Sequence, residues 1–338
     1  MGLVYSHAWS LWWWRYTGSN TNANSLRTTV AELPSADPDV LSMRATDVAA
    51  LRAQALRLGV PRAQPLELIV SGNPRRKNQK GLRLHQWNGF LPMWSLCRAG
   101  GDSLTCSPEF TLLLLAGNIR RIVGHGMSDW QYTVIVAELG CELCGTYSKR
   151  NTVRGFANRT QPLSSLGQMM QCVGRMAHEY GAQRMREAVT WVIEDLHSPM
   201  ETALYLMLCL PASHGGMCLP RPFANYAIGV PKSLWPKTGR HRMVADLCWP
   251  ERLLIAEYDS DEDHKGRERE DQERRELAQD LGYRVVTFCA RDVMDAGRFA
   301  IKAQSLAAYL GVGLPEGEKF EKMRAALHHM LVHHERWV

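Results

Sequence analysis

Three carboxylates that could bind a metal ion lie close together in the segment MVADLCWPERLLIAEYD, at residues 243–259. They are Asp246, Glu257 and Asp259. Apolar runs on both sides of residues 250–252, Pro-Glu-Arg, predict two strands joined by a tight turn. In a hairpin symmetric about that turn, Asp246 faces Glu257, and Asp259 shares their face because side chains alternate along a strand. Crowded carboxylates suit a hard divalent cation, so this pattern predicts a Mg²⁺ or Mn²⁺ site.

The strand register decides whether these acids face the protein or the solvent. The symmetric register also pairs Cys248 with Ile255 and places Met243, Leu247 and Trp249 on one apolar face. A slip of one residue would point the acids to water, and this alternative remains open. Because the slip would also turn the apolar side chains outward, the hydrophobic pattern favours the symmetric register.

Two further residues are candidates for the same site. Glu201 ends the segment Ser198-Pro199-Met200-Glu201, which has the spacing of a capping box with proline at the first helical position. Its carboxylate can close back on the Ser198 amide or serve the acidic site, and both interpretations stay open. His264 lies in the polar loop of residues 260–267 that leaves the acidic face, so we expect it close to the carboxylates.

Length and composition set limits on the protein class. The 338 residues are 45% hydrophobic and 22% charged, which is typical of a globular chain of about two domains. The net charge of +6 permits a polyanionic partner such as DNA. Nine scattered cysteines predict a reducing, cytoplasmic setting. No apolar run approaches the roughly 20 residues that span a bilayer, so no membrane association is expected.

The N-terminal half contains a candidate DNA contact. Residues 66–71 and 82–87 are strand-like, and we expect them to form a hairpin. Four basic residues at its tip could reach phosphates, as the wing of a winged-helix domain does, or could form a solvated loop. They are Arg75, Arg76, Lys77 and Lys80.

From residue 198 onward the predicted elements run helix, strand, strand, strand, helix, strand, helix. This order, with carboxylates on the second and third strands, resembles the restriction-endonuclease-like PD-(D/E)xK fold. More narrowly, it resembles bacterial domains related to very-short-patch-repair endonucleases, over residues 198–310. The matching segments are Ser198-Pro199-Met200-Glu201, Ala245-Asp246-Leu247, Ala256-Glu257-Tyr258-Asp259, His264, Asp271-Gln272-Glu273-Arg274 and Gly282-Tyr283-Arg284-Val285-Val286.

The resemblance implies metal-assisted hydrolysis of DNA phosphodiester bonds. Asp246 and Glu257 would hold Mg²⁺, with Asp259 as a further ligand. His264 would act as general base or as a donor to the phosphate or leaving oxygen. The basic residues expected at DNA phosphates are Lys265, Arg267 and Arg274. One departure is that Asp259 stands where the common pattern, Glu-x-Lys, has its lysine.

The N-terminal half resembles AbiEi-type antitoxin proteins at residues 65–70, 82–92 and 107–116; these proteins pair a winged helix with an α/β region. The expected fold class is therefore α/β. An N-terminal α+β region, for which a winged helix is one alternative, is followed by a restriction-endonuclease-like αβββαβ core. The rival function is a non-catalytic DNA-binding regulator or antitoxin-like protein. The expected domains are an AbiEi-like region at 1–160, a helical connector at 161–197, the endonuclease-like domain at 198–312 and an amphipathic helix at 313–338.

Overall fold

A computed structural model describes most of the chain and shows mixed α/β architecture in two compact units. The units divide between Glu194 and Asp195, and we call them the N-terminal and C-terminal units. The expected connector at 161–197 therefore belongs, up to Glu194, to the N-terminal unit. The described residues are 3–16, 22–30, 32–34, 48–53, 65–72, 78–79, 81–150, 152–259 and 268–332.

The N-terminal unit is built on a six-stranded sheet with the order β3-β4-β2-β1-β6-β5, and on a separate hairpin, β7-β8. Its strands are β1 Val4–Tyr5, β2 Leu66–Val70, β3 Asn78–Gln79, β4 Leu82–Gln86, β5 Leu96–Gly100, β6 Ser103–Cys106, β7 Tyr147–Lys149 and β8 Phe156–Asn158. Its helices are α1 His7–Tyr16, α2 Ala23–Leu26, α3 Pro108–Val123, α4 Asp129–Cys144, α5 Leu166–Arg175 and α6 Ala182–Val189. Residues 48–53 are also helical.

Helices α1 and α3 position the polar groups discussed below. Trp9 and Trp12 of α1 pack on Leu66 and Leu84 of the sheet, so burial of large apolar side chains fixes this helix. Helix α3 begins with Ser107, whose hydroxyl accepts the amide of Phe110, and with proline at its first turn.

The expected hairpin of residues 66–71 and 82–87 is wrong. Strands β2 and β4 are parallel neighbours, with Leu66 opposite Leu82 and Val70 opposite Gln86. The short strand β3 lies antiparallel to β4 on its far side. Because parallel strands need a crossover and not a tight turn, this pair is not a wing of the expected kind.

The C-terminal unit is built on a four-stranded sheet with the order β12-β11-β10-β9. Neighbouring strands β9, β10 and β11 are antiparallel, whereas β11 and β12 are parallel. Its strands are β9 Phe223–Gly229, β10 Arg242–Trp249, β11 Leu254–Asp259 and β12 Arg284–Cys289. Its helices are α7 Pro199–Cys209, α8 Trp235–Thr238, α9 Glu268–Asp280, α10 Ala290–Met294, α11 Ala296–Leu310 and α12 Glu318–Val332.

Local chemistry explains the two connections next to the acidic strands. A single 3₁₀ turn, Pro250–Arg252, joins β10 to β11, and Leu253 closes it in the left-handed conformation with φ of 48°. Helix α9 is followed by Gly282, whose φ of 82° is free of strain only for glycine. Of the helices in the described ranges, none has the length and apolar character needed to cross a bilayer.

Candidate functional site

The turn between β10 and β11 sets the register that brings the acids together. Cys248 pairs with Ile255, as predicted, and Leu247 pairs with Ala256. Asp246 and Glu257 are the next residues on the two strands. The Tyr258 amide donates to Asp246 Oδ2 at 2.9 Å, which holds the Asp246 carboxylate against β11. The alternative register, slipped by one residue, is excluded.

Glu201 reaches this part of the unit from the first turn of α7. Ser198 caps the helix by accepting the Glu201 amide at 3.1 Å, and its hydroxyl donates to Glu201 Oε1 at 2.9 Å. Glu201 Oε2 accepts the His197 amide at 2.9 Å and Asn225 Nδ2 at 3.1 Å. The expected closure on the Ser198 amide is thus wrong in one detail, since the amide is that of His197. The capping and the site interpretations of Glu201 do not compete, because its charge also acts on Asp246.

Arg274 of α9 lies between the two opposed acids. Its Nη2 is 2.8 Å from Glu257 Oε1 and 3.8 Å from Asp246 Oδ1. The same nitrogen donates to the Val244 carbonyl at 2.8 Å. Sequence reasoning assigned Arg274 to phosphates, whereas here it pairs with carboxylates. Its position three residues before the buried Leu277 is the signal that places it on the inner face of the helix.

The contact between Arg274 and Glu257 is close but poorly aligned. Glu257 Oε1 is buried and has no hydrogen bond of acceptable geometry, even though the Arg274 nitrogen is 2.8 Å away. The same Nη2 also donates an N–H to the Val244 carbonyl. Arg274 is thus shared among Glu257, Asp246 and a backbone carbonyl, and it compensates the charge of the two buried acids only in part.

Asp259 extends the acidic face toward the end of β11. Its Oδ2 is 3.7 Å from Arg275 Nη2, and its side chain is partly exposed. Its charge contributes to raising the pKa of both Asp246 and Glu257. The structure therefore brings Glu201, Asp246, Glu257 and Asp259 into one electrostatically coupled group, which we call the acidic cluster.

Burial and mutual repulsion disfavour the charged forms of these acids. Burial, followed by the charge of Glu201, raises the pKa of Asp246 to about 7, against the opposing effects of the Tyr258 amide and Arg274. Burial likewise raises the pKa of Glu257 to about 7, with Arg274 opposing and Asp246 adding to the rise. Burial also raises the pKa of Glu201. Near neutral pH, additional positive charge beside the acidic cluster would therefore stabilise the charged forms of these acids.

The donor set fits a hard cation bound with water. No group of three or more His, Cys, Asp and Glu side chains in the described ranges is arranged to hold a metal ion by itself. Mg²⁺ is usually held by one or two carboxylates and keeps several waters, so Asp246 and Glu257 suffice as protein ligands. The raised pKa values of Asp246 and Glu257, which persist although Arg274 lies beside both, support this fit.

Several predicted site residues lie outside the described residues. On the C-terminal side these are His264, Lys265 and Arg267. On the N-terminal side they are Arg75, Arg76, Lys77 and Lys80. Their assigned roles stay predictions.

Sequence reasoning missed two residues of the site, Asn225 and Arg275. Asn225 donates to Glu201 and also to the Asp195 carbonyl at 2.7 Å. Asparagine is unfavourable inside a strand but tolerates a positive φ, which is 44° here. Its presence in β9 was therefore a usable signal, whereas nothing in the sequence marked Arg275 apart from its neighbours. Comparisons of this chain with models of known protein families, with curated proteins and with solved structures gave no match.

Proposed function

We propose that the C-terminal unit is a metal-dependent DNA endonuclease-like domain with a restriction-endonuclease-like core, which hydrolyses phosphodiester bonds at the acidic cluster. The observation that carries the proposal is the convergence of Glu201, Asp246, Glu257 and Asp259. They come from a helix and two adjacent strands, in an αβββαβ arrangement, and two of them titrate near neutrality. In a purely structural cluster the cationic partners would keep the acids charged, whereas here the pKa values of Asp246 and Glu257 stay raised to about 7 despite Arg274.

The side chains would share the work as follows. Asp246 and Glu257 would hold Mg²⁺ or Mn²⁺, with Asp259 near enough to bind through water. The ion would neutralise charge developing on the phosphate and lower the pKa of a water molecule. Glu201 fixes the first turn of α7 and adds negative charge beside Asp246.

Arg274 is the cationic side chain next to Glu257 in a cluster that has Asp259 in place of the usual lysine. A guanidinium stays charged at all working pH values, so it cannot act as a base. Its contribution would be to stabilise negative charge, on the acids in the free protein and on a phosphate in the complex. His264, the predicted general base, remains part of the proposal as a sequence-based assignment.

A cleavage assay tests this proposal. The full chain is incubated with supercoiled, linear and single-stranded DNA in Mg²⁺ or Mn²⁺, and in chelator. We expect cleavage only with metal, and Asp246→Asn should lower its rate about 100-fold or more, because loss of the ion removes several kcal/mol of charge stabilisation. Asp292→Asn is the matched control, because Asp292 is an acid of the same unit that pairs with Lys302 at 2.7 Å.

The rival proposal is a non-catalytic DNA-binding regulator. It predicts that the folded chain cleaves none of these substrates and binds DNA equally well in chelator and in metal. That result would reject the nuclease. Replacing Arg75, Arg76, Lys77 and Lys80 with alanine would then be expected to weaken DNA binding and flatten its salt dependence.

A further inference from the structure

A second group of titratable side chains lies in the N-terminal unit, around the buried carboxylate of Glu67. Its Oε2 accepts the Ala8 amide at 3.0 Å. Its Oε1 lies 3.2 Å from His85 Nε2, 3.3 Å from Arg83 Nη1 and 3.4 Å from Arg121 Nη2. Three cationic or potentially cationic groups therefore converge on one carboxylate oxygen.

His7 fixes the inner wall of this group. Its backbone has φ of 50°, a strained value for a residue other than glycine. Its ring stacks on His85 with centroids 3.6 Å apart. Asn118 Nδ2 donates to His7 Nε2 at 3.0 Å, so His7 is neutral and its other ring nitrogen donates to Ser6 Oγ at 3.1 Å. Burial, followed by the charge of His85, holds the pKa of His7 well below its usual value, in agreement with that assignment.

The two arginines have more hydrogen-bonding capacity than Glu67 can use. Each guanidinium carries five N–H donors in a planar fork. Among the described residues, Arg83 and Arg121 each direct one nitrogen at Glu67, at the long distances of 3.3 and 3.4 Å. Their side chains are 34% and 38% exposed. One carboxylate oxygen thus holds two guanidiniums side by side, and within the described part of the chain their remaining donors are available to a ligand.

The ligand that suits two adjacent guanidiniums is a tetrahedral anion with several oxygens. Arg121 and Asn118 also line a cleft of about 990 Å³ in the N-terminal unit. Its wall also carries Arg120 and Arg184, which both pair with Asp129, and the acids Glu179 and Glu187. The space beside Arg121 is large enough for an organic group attached to the phosphate.

We propose that the N-terminal unit binds a phosphate group between Arg83 and Arg121, held in place by Glu67 and the stacked His7 and His85. This site is distinct from the acidic cluster and does not depend on the proposed nuclease activity. The phosphate would belong to a nucleotide or to the end or backbone of a nucleic acid.

The test measures phosphate binding by the full chain in chelator, at constant ionic strength. Inorganic phosphate should raise the Tm of the wild type in proportion to the logarithm of its concentration, because it binds only the folded state. Calorimetric titration should show that Arg83→Gln and Arg121→Gln each weaken binding tenfold or more. Arg98→Gln is the matched control, because Arg98 is an exposed arginine on β5 of the same sheet, and it should bind as the wild type does.

Further arms distinguish the source of the phosphate and guard against misfolding. A nucleoside monophosphate, a 5′-phosphorylated oligonucleotide and its 5′-hydroxyl counterpart are compared; preference for the phosphorylated end identifies a terminal phosphate, and equal binding identifies the backbone.

Should Arg121→Gln unfold, Arg83→Gln and the charge-conserving Arg83→Lys and Arg121→Lys serve instead, and loss of the planar guanidinium should still weaken binding. The proposal would be overturned if phosphate did not change the Tm of the wild type, or if the variants bound phosphate with the affinity of the wild type.

Discussion

Glu67 in the N-terminal unit and Asp246 in the C-terminal unit are both strand carboxylates withdrawn from water, yet their electrostatic settings are opposite. Burial acts to raise the pKa of Glu67, but the hydrogen bond and charge of His85, together with Arg121, outweigh it, and the pKa lies below its usual value. The pKa of Asp246 is raised to about 7. The first site has an excess of positive partners and the second an excess of acids.

This contrast indicates what each site lacks. A carboxylate surrounded by cationic groups leaves donors for an anion, whereas carboxylates that repel one another leave acceptors for a cation. The same kind of residue on the same kind of strand thus has opposite electrostatic settings, and its neighbours determine which.

The largest expected effect is a difference in the free energy of unfolding between the variants Glu67→Gln and Asp246→Asn. Glu67→Gln should lower the free energy of unfolding by about 2 kcal/mol at pH 7.5, because it removes the buried counter-charge that two partly exposed arginines share. Asp246→Asn in chelator should leave it unchanged or slightly raised, because one repelling charge is removed. Urea unfolding measures both. Similar losses for the two variants would show that Asp246 is an ordinary structural ion-pair partner.

The pH dependence of stability should differ in sign between the two sites. The folded-state pKa values of Asp246 and Glu257 lie near 7, above their ordinary values of 3.8 and 4.5. The folded protein then holds more protons between about pH 4 and 7, so the contribution of both acids to the free energy of unfolding falls as pH rises through that window and is nearly lost at pH 8.

Glu67 behaves in the opposite way. Because its folded-state pKa is lowered, its contribution is fully present above its unfolded pKa and is lost as pH falls through the folded value. Unfolding of the wild type, Asp246→Asn and Glu67→Gln across this pH range in chelator separates the contributions of the two sites to stability. Asp246→Asn should flatten the fall between pH 5 and 8. A wild type whose stability rises over the same interval, and an unaltered slope in Asp246→Asn, would contradict the assignment.

A smaller effect is expected from the arginines of the acidic cluster. Arg274→Gln should cost about 1 kcal/mol in chelator, and saturating Mg²⁺ should offset the loss, because the ion replaces the missing positive charge. Arg275→Gln is the matched control: its partner atom in Asp259 is 3.7 Å away and its own side chain is 46% exposed, so less than about 0.5 kcal/mol is expected. Equal losses, unchanged by metal, would argue that Arg274 has no special place in the cluster.

The sequence predicted the acidic hairpin well because two independent constraints agreed. The Pro-Glu-Arg turn and the period-two apolar pattern both required Asp246 and Glu257 to be neighbours, and a slip would have exposed the core. The pairing of β2 with β4 was mistaken because apolar patterns do not distinguish parallel from antiparallel partners. The 72–81 segment was long enough to read as a hairpin loop, and the intervening β3 carries no strong strand signal. Distant partners such as Asn225 and Arg274 depend on how elements pack, which local pattern determines only in part.

Thermal unfolding with and without metal is the most direct test of our proposal that the acidic cluster binds a divalent cation. Wild type, Asp246→Asn and Asp292→Asn are melted in chelator and in excess Mg²⁺ or Mn²⁺. Asp292 is the control because the hydrogen bonds of Lys302 and Cys289 outweigh its burial and lower its pKa to about 2. Metal at 100 times its Kd should stabilise the wild type by about 2.7 kcal/mol and Asp292→Asn by the same increment. Asp246→Asn should lose that increment while matching the wild type in chelator. An Asp246→Asn variant destabilised equally in metal and in chelator would contradict the claim.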